Sequence, residues 1–332
     1  MTNVLVTGGA GYVGAVMVPQ LLAKGHRVTV YDIMFFGHDG LPDHPNLKMI
    51  EGDIRDTSRL AEAFQGIDVV LHLACISNDP SFELDEDLSK TINFDCFESM
   101  VVAAKRAGVK RFVYASSSSV YGVSDKPDVT EDHPLVPLTL YNKFKGMCEP
   151  LLFKHRAPGF TCVTLRPATI CGYSPRMRLD LSVNILTNLA VNRGKITVFG
   201  GSQLRPNLHI NDMADVYELM LDAPAAAIDG EIFNVGYQNL SISRIAEIVR
   251  EVVSREMPDR KSITIETTST NDPRSYHINS DKIRRVLGYT PKRTVEDAVR
   301  DLCRAFNEGR LPKSLDDDRY FNVRRMKAVK AA

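Results

Sequence analysis

The stretch LVTGGAGYVGAVM, at residues 5–17, decides the fold predicted for this chain. Its three spaced glycines, Gly8, Gly11 and Gly14, follow a short apolar run and precede a segment whose pattern favours a helix. A glycine triplet alone is a weak signal, so the neighbouring sequence has to supply the context. Asp32 ends the next apolar run, RVTVYD, close to the ~20 residues expected between a phosphate-binding loop and an acidic residue that holds a ribose.

Each of these residues has a predicted role. Gly8 allows the tight turn, Gly11 lets backbone N–H groups approach a pyrophosphate at the helix N-terminus, and Gly14 permits close helix–strand packing. The carboxylate of Asp32 can accept hydrogen bonds from a ribose 2′-hydroxyl, and its charge would repel a 2′-phosphate. The predicted cofactor is therefore NAD rather than NADP.

Apolar runs typical of strands alternate with helix-like segments through the first half of the chain. Such alternation indicates βαβ units, and the apolar strands suit burial on both faces. The predicted fold class is α/β, with a Rossmann-type doubly wound parallel sheet and a smaller mixed α/β substrate domain. The predicted strands lie in residues 3–7, 27–32, 68–74, 110–117 and 160–168, and residues 47–56 give a further strand and a loop. The longer helices lie in residues 84–107 and 141–154.

The length of 332 residues predicts more than one domain, because chains beyond roughly 250–300 residues tend to divide. Residues 1–168, with a returning segment at about 207–237, form the predicted NAD-binding domain. Residues 169–206 and 238–312 form the predicted nucleotide-sugar-binding domain, with a helix over 177–192. Residues 313–332 are expected to be a charged, poorly ordered tail.

Composition excludes several classes of partner. The 41 basic and 41 acidic side chains cancel, which argues against electrostatic capture of nucleic acid or an anionic membrane. No apolar stretch approaches the ~18 residues of a membrane span, and no secretory leader is visible. The six cysteines are scattered without a CxxC or Cys/His cluster, which predicts reduced thiols, a cytoplasmic location and no metal site.

Two further segments predict catalysis. YASSSSVYG, at residues 114–122, follows the fifth strand at the carboxyl edge of the sheet, where ligands bind in such folds. YNKFK begins a helix, and its Tyr141 and Lys145 share one helix face. A tyrosine with a pKa near 10 is a poor base, but a lysine ammonium and the nicotinamide ring would both lower that pKa. Tyr141 is therefore a candidate base toward a sugar hydroxyl, although the motif alone is typical of a solvated helix face.

Taken together, these motifs resemble the extended short-chain dehydrogenase/reductase family, which contains the NAD-dependent nucleotide-sugar epimerases and dehydratases. The matching segments run along nearly the whole chain. They are TGGAGYVG, HLA, SSSSVYG, YNKFK, LRPATICG, RPNLHINDMA and NDPRSYHINSDKIRRVLGYTP.

The resemblance implies roles for individual residues. Ser117 corresponds to the catalytic serine or threonine, Tyr141 to the general acid/base, and Lys145 to the residue that binds the nicotinamide ribose. Arg205 and Arg274 correspond to arginines that hold the substrate diphosphate, a group that arginine forks fit well. The residues predicted to bind the cofactor are Gly8, Gly11, Tyr12, Val13, Gly14, Asp32, Asp53, Ile54, Leu73, Ala74, Asn93, Tyr141 and Lys145. Those predicted to bind the substrate are Ser118, Ser119, Arg176, Arg178, Asn184, Phe199, Arg205 and Arg274.

The surrounding sequence bears on some of these assignments. Asp53 and Ile54 would contact the adenine, but GDIRD taken alone is more typical of a solvated turn. Asn93 corresponds to a structural asparagine that ties the backbone of the long helix. Phe199, in VFGGSQ, would border the nucleotide base.

The residues after Ser117 discriminate among the reactions of the family. Its 4,6-dehydratases have Asp-Glu there, its decarboxylases a Glu, and its 3,5-epimerases a Cys at the second position. Ser118 and Ser119 supply none of these groups, so no 4,6-dehydratase activity is predicted. The predicted function is a nucleotide-sugar epimerase that oxidises the sugar transiently at C4.

The segment SPRMRLDLSVN leaves alternatives open. It resembles a branch that acts on GDP-heptoses, in which Arg176, Arg178 and Asn184 would line the sugar pocket. Equally, it could be a basic helix start that faces solvent. The alternative functions are a net 4-dehydrogenase or 4-ketoreductase and, more remotely, a non-catalytic NAD-binding regulator.

The resemblance also implies a homodimer. The two helices expected at 84–107 and 141–154 would pair with those of a second subunit in a four-helix bundle. Their apolar faces fit this arrangement, but a helix packed against its own sheet shows the same pattern.

Overall fold

The computed structural model describes residues 1–260, 262–270 and 274–331. Its largest sheet has seven parallel strands in the order β10-β6-β5-β4-β1-β2-β3. The strands of the described residues are β1 (Asn3–Thr7), β2 (Arg27–Asp32), β3 (Leu47–Glu51), β4 (Val69–His72), β5 (Arg111–Ala115), β6 (Thr161–Pro167), β7 (Thr169–Cys171), β8 (Lys195–Phe199), β9 (Leu204–His209), β10 (Ile232–Val235), β11 (Gln238–Ser241) and β12 (Thr264–Thr268).

Helices follow most of these strands. In the described residues they are α1 (Gly14–Ala23), α2 (Thr57–Ala63), α3 (Asp79–Phe82), α4 (Glu86–Lys90), α5 (Phe97–Arg106), α6 (Leu140–Phe153), α7 (Ser182–Arg193), α8 (Ile210–Asp222), α9 (Ala225–Ile228), α10 (Ile242–Glu256), α11 (Asp281–Leu287), α12 (Val295–Asn307) and α13 (Asn322–Ala331). None of them is long and apolar enough to cross a lipid bilayer.

The large sheet is buried on both faces. Because successive strand side chains point to opposite faces, Val4 and Val6 join one core and Leu5 joins the other. Helices α1 and α8 contribute to the first core, and α2, α5 and α6 to the second. This is the doubly wound α/β arrangement that the sequence predicts, and the prediction is confirmed.

The remaining strands form two small sheets. Strands β11, β9 and β7 make one sheet, and β12 pairs with β8 in the other. A separate core, which includes Val183, Val249 and Val299, joins α7, α10 and α12. Strand β10 follows β7, β8 and β9 in the chain but pairs at the edge of the large sheet. The domain boundaries themselves stay a prediction.

The long helix predicted over residues 84–107 is wrong as one continuous element. It is divided into α4 and α5 by a π-helical turn at Thr91–Asp95. The turn brings the Asn93 side chain to the backbone of Ile76, where Asn93 Oδ1 accepts from the N–H at 2.8 Å and Nδ2 donates to the carbonyl at 2.9 Å. The π-turn interrupts the regular α-helix at this point and allows these two hydrogen bonds to form. Such turns are frequent at functional sites.

The helix predicted from residue 177 begins later, at Ser182. Residues 177–181 are irregular, and the apolar side chains of Met177 and Leu179 are fully buried. Their spacing of two residues suits a segment that buries alternate side chains, so tertiary packing overrides helix propensity here.

The expectation of a poorly ordered tail at 313–332 is wrong for the described part. Helix α13 follows a 3₁₀ turn at Asp318–Tyr320. Tyr320 and Met326 are buried, Tyr320 beside Met177 and Leu179 and Met326 beside Phe82. These few apolar side chains anchor the segment to the protein, although its high charge suggests a solvated tail.

Candidate active site

One cavity opens at the carboxyl ends of the parallel strands. Its volume of about 530 Å³ is within the range of ligand pockets. It is lined by the glycine loop, by the ends of β2, β4, β5 and β6, and by parts of α6 and α13. The predicted site residues that line it are Gly8, Gly11, Tyr12, Val13, Gly14, Asp32, Asp53, Ile54, Leu73, Ala74, Ser117, Ser118, Ser119, Tyr141, Lys145, Arg176, Arg178, Arg205 and Arg274.

The glycine loop has no room for side chains at two of its positions. Gly8 has φ +73°, and a Cβ there would lie 2.7 Å from the backbone N of Ala74. A Cβ on Gly14 would lie 2.2 Å from the carbonyl O of Gly9. Helix α1 begins without a side-chain cap in the described residues, and the N–H groups of Ala15 and Val16 already donate to the carbonyls of Gly11 and Val13. An anion would therefore bind the N–H groups just before them, those of Tyr12, Val13 and Gly14. The loop therefore fits the pyrophosphate of a dinucleotide.

Hydrogen bonds hold the Asp32 carboxylate beside this loop. Its Oδ2 accepts from Ala10 N–H at 3.0 Å and its Oδ1 from Met34 N–H at 2.9 Å. Burial raises the pKa of Asp32, and these hydrogen bonds oppose the rise. Each carboxylate oxygen has a further lone pair, so Asp32 can still accept from a ribose hydroxyl.

Asp53 and Ile54 lie further along the same cavity. The Asp53 carboxylate is paired with Arg55 at 2.5 Å, and this hydrogen bond is the main reason that its pKa is lowered. Ile54 is buried and offers an apolar surface. Leu73 and Ala74, after β4, form another part of the cavity wall.

Asn93 supports this wall from behind. It is buried outside the cavity lining, and both ends of its amide bond Ile76, which does line the cavity. The structural tie implied for Asn93 is therefore observed, whereas a direct contact between Asn93 and the cofactor stays a prediction.

Ser117, Tyr141 and Lys145 all line the cavity. Ser117 begins the 3₁₀ turn Ser118–Tyr121, and its hydroxyl shares a 2.7 Å hydrogen bond with that of Ser119. Lys145 is buried and donates from Nζ to the carbonyl O of Ala115 at 2.7 Å. Tyr141 lies one helical turn before Lys145 in α6, and Thr139 caps the start of this helix.

The environment of Tyr141 differs from the sequence prediction in one respect. Its pKa is raised well above the usual value, first by burial and then by the charges of Cys75 and Asp79. Arg178 is the cation that opposes this rise. Burial thus outweighs the charge of Arg178, and the positive nicotinamide ring of bound NAD would act in the same direction as Arg178.

Arg205 and Arg274 meet at the outer part of the cavity. Arg205 donates from Nη1 to the carbonyl oxygens of Leu204, at 2.9 Å, and of Arg274. Arg274 Nη1 contacts Asp79 Oδ2 at 2.9 Å. Two guanidinium groups at one opening suit a diphosphate.

Arg176 and Arg178 do not belong to a solvent-facing helix, so that alternative is wrong. Both side chains are buried in the irregular segment before α7. Arg178 Nε pairs with Asp180 Oδ1 at 3.0 Å. Arg176 donates from Nη2 to Asn322 Oδ1 at 2.8 Å and lies over the Phe36 ring, 3.7 Å from its centroid.

Two residues assigned to the substrate, Asn184 and Phe199, lie outside the cavity lining. Asn184 is fully buried away from the cavity lining and donates to the Tyr12 hydroxyl at 3.0 Å and to the carbonyl of Arg178 at 2.9 Å. It is a structural residue, because its position in α7 points it into the protein. Phe199 ends β8 with 62% of its surface exposed, and it lies outside the cavity lining.

Sequence reasoning missed several lining residues. Asp79 follows β4 at the carboxyl edge of the sheet, so the strand-end rule could have identified it. Asn322 and Met326 come from α13 and carry no local signal of a site. In the described residues no group of three or more His, Cys, Asp or Glu side chains could hold a metal ion.

A doubly wound parallel sheet with a glycine loop after β1 and an acidic residue at the end of β2 defines a dinucleotide-binding α/β protein. The model of the NAD dependent epimerase/dehydratase family matches residues 4–236, and the chain belongs to that family. Its cofactor is therefore NAD, as the sequence predicts.

Individual relatives extend the similarity over the whole chain. UDP-glucose 4-epimerase of Lactobacillus helveticus is 31% identical, over 90% of this chain and 94% of the relative. DesIV of Streptomyces venezuelae, a dTDP-glucose 4,6-dehydratase solved with NAD, has a TM-score of 0.80 at 26% identity and covers 93% of this chain and 98% of its own. MoeE5, solved with UDP-glucuronic acid and NAD, has a TM-score of 0.79 at 25% identity, covering 92% and 99%. None of these three is a GDP-heptose enzyme, so that resemblance of the 174–184 segment stays a prediction.

Proposed function

We propose that this protein is an NAD-dependent nucleotide-sugar 4-epimerase that oxidises its substrate transiently at C4. Ser117, Tyr141 and Lys145 line the same cavity as the glycine loop and Asp32, and this convergence is the main support. The similarity to a UDP-glucose 4-epimerase over nearly the whole of both chains favours the same reaction class. UDP-glucose is accordingly the first substrate to test.

The chain supplies the groups that such a reaction needs at the sugar. Tyr141 would remove the proton of the C4 hydroxyl and return it later, and Ser117 would hydrogen-bond that oxygen throughout. Lys145 would bind the nicotinamide ribose and favour the phenolate. NAD, when bound, supplies a hydride acceptor and a positive charge near the phenol.

The acidic side chains of the cavity argue against dehydratase activity. The carboxylates in its described lining are Asp32, Asp53, Asp79 and Asp180. All four are engaged: Asp32 by backbone N–H groups, and the others by arginine side chains. At positions 118 and 119, the serines offer hydroxyls, which cannot serve as the carboxylate acid and base of a water elimination. We therefore propose that no 4,6-dehydratase step occurs.

Purified protein incubated with UDP-, GDP- and dTDP-hexoses, without added NAD, tests this proposal by proton NMR. We expect a new C4 epimer that approaches equilibrium. Tyr141→Phe should reduce the rate at least 10³-fold, since the variant lacks the acid/base group, while its NAD affinity stays within about twofold. Full activity of that variant would refute the mechanism, and a 4-keto product would indicate a net 4-dehydrogenase.

We also propose a cytoplasmic homodimer. All six cysteines are free thiols, as expected in a reducing compartment. Exposed apolar side chains cluster near the start of α6, which suits a subunit interface. They are Leu135, Val136, Leu138, Leu140 and Met147.

A further inference from the structure

Arg176 is a buried cation with spare hydrogen-bonding capacity. Only 8% of the residue is exposed. Within residues 1–260, 262–270 and 274–331, its Nε and Nη1 have no hydrogen-bond partner. Leaving charged N–H groups buried and unpaired is costly, so these two groups call for a ligand.

Neighbouring residues hold the guanidinium in one orientation. The Phe36 ring covers one of its faces, with 3.7 Å between Cζ and the ring centroid. Asn322, from α13, accepts from Nη2 at 2.8 Å. Nε and Nη1 remain for another partner, and Arg176 lines the cavity.

The segment that carries Arg176 is attached to the glycine loop. Ser174 donates from Oγ to the carbonyl O of Tyr12 at 2.7 Å, and the Tyr12 hydroxyl donates to the carbonyl of Gly172 at 2.6 Å. A Cβ on Gly40 would lie 3.2 Å from Arg176 N and 3.3 Å from the Cβ of Ala15, in the first turn of α1. The backbone of Arg176 is therefore beside the N-terminus of α1.

We infer that Arg176 binds the pyrophosphate of NAD, opposite the backbone N–H groups of Tyr12, Val13 and Gly14 at the N-terminus of α1. This inference rests on the proposed function only in taking NAD as the ligand. A guanidinium presents two N–H groups in a fork that matches phosphate oxygens. The sequence-based assignment of Arg176 to the nucleotide sugar is replaced by a role toward the cofactor.

The electrostatics of the site agree with an anionic ligand. Burial, with a smaller effect from the Arg178 charge, lowers the pKa of Arg176 to about 9. The charges of Asp180 and Asp32 oppose this but do not cancel it. A pyrophosphate at Nε and Nη1 would stabilise the charged form and pair the two groups.

Arg176→Met tests the inference by calorimetric titration of nucleotide-free protein with NAD, ADP, adenosine and UDP. We expect at least tenfold weaker binding of NAD and of ADP, which contain the pyrophosphate. Adenosine, which lacks it, should bind within twofold of the wild type, and so should UDP, a probe of the substrate site. Arg310→Met is the matched control, because Arg310 also stacks on a ring, that of Tyr173, but lies outside the cavity lining. It should leave NAD binding unchanged.

Unchanged NAD affinity in Arg176→Met would overturn the inference, and so would a loss confined to UDP. If Arg176→Met does not fold, Arg176→Lys replaces it: we expect weaker NAD binding with unchanged adenosine binding, and wild-type NAD affinity would overturn the inference. The proposed function is tested separately, by turnover of nucleotide sugars by the wild-type protein, so the two failures are distinguishable.

Discussion

Asp79 connects the two ends of the candidate site. Its Oδ1 accepts from the Thr139 hydroxyl at 2.6 Å, and Thr139 caps the helix that carries Tyr141. Its Oδ2 pairs with Arg274 at 2.9 Å. Its charge is also one cause of the raised pKa of Tyr141. One carboxylate thus influences both the proposed diphosphate site and the proposed base.

Asp79→Asn should shift the pH dependence of turnover. A negative neighbour disfavours the phenolate, so removing it lowers the pKa of Tyr141. Because the role proposed for Tyr141 is that of a base, which requires the deprotonated form, the rising limb of the kcat profile should move to lower pH. The amide still offers an oxygen to Thr139 or Arg274, which limits structural effects.

Asp95→Asn is the matched control for that profile. Asp95 pairs with Lys90 at 2.9 Å, and both side chains are well exposed to solvent. Its charge is screened by water, so its removal should leave the limb in place. A limb that stays fixed or moves to higher pH in Asp79→Asn would contradict the proposed role of Tyr141.

Among the elements, the π-turn between α4 and α5 has a defined structural purpose. It delivers Asn93 to the backbone of Ile76, whose side chain lines the cavity. Asn93→Ala would leave a buried N–H and a buried carbonyl unpaired. We expect the free energy of unfolding to fall by about 2–6 kcal/mol, because each of the two unpaired groups costs ~1–3 kcal/mol.

Denaturant unfolding measures this loss. Ser99→Ala, on the exposed side of α5, is the control and should change stability by less than about 0.5 kcal/mol. A loss below about 1 kcal/mol in Asn93→Ala would mean that the two hydrogen bonds do not hold the wall.

Elements with local causes could be predicted from the sequence. The glycine loop follows from steric demands at Gly8 and Gly14, and α6 from its cap at Thr139 and its apolar face. The π-turn could not be predicted, because its cause is a hydrogen bond to a residue 17 positions away. The same holds for the site: Arg176 and Asn322 are separated by 146 positions, and no local pattern indicates that they meet.

At the scale of the whole molecule, α5 and α6 pack against the large sheet of their own subunit. Met100, Val101 and Cys148 belong to the core between these helices and the sheet. The apolar pattern that suggested a dimer is thus partly explained within one subunit. Met147, with 38% of its surface exposed, lies on the outer side of α6.

Met147→Glu should convert the proposed homodimer to a monomer. A carboxylate buried at an apolar interface costs several kcal/mol unless it is paired. Light scattering after size exclusion measures the mass, and Met49→Glu, on edge strand β3 with 45% exposure, is the matched control. A wild-type monomer, or a Met147→Glu dimer as tight as wild type, would contradict the proposed interface.

The fate of the hydrogen at C4 tests the proposed 4-epimerase reaction most directly. UDP-glucose deuterated at C4 is incubated with the purified protein, and the product is analysed by proton and deuterium NMR. We expect the C4 epimer with deuterium retained at C4, because the hydride that leaves this carbon returns to it. Deuterium lost to solvent or moved to C6, or a 4-keto sugar that accumulates, would contradict the assignment as a 4-epimerase.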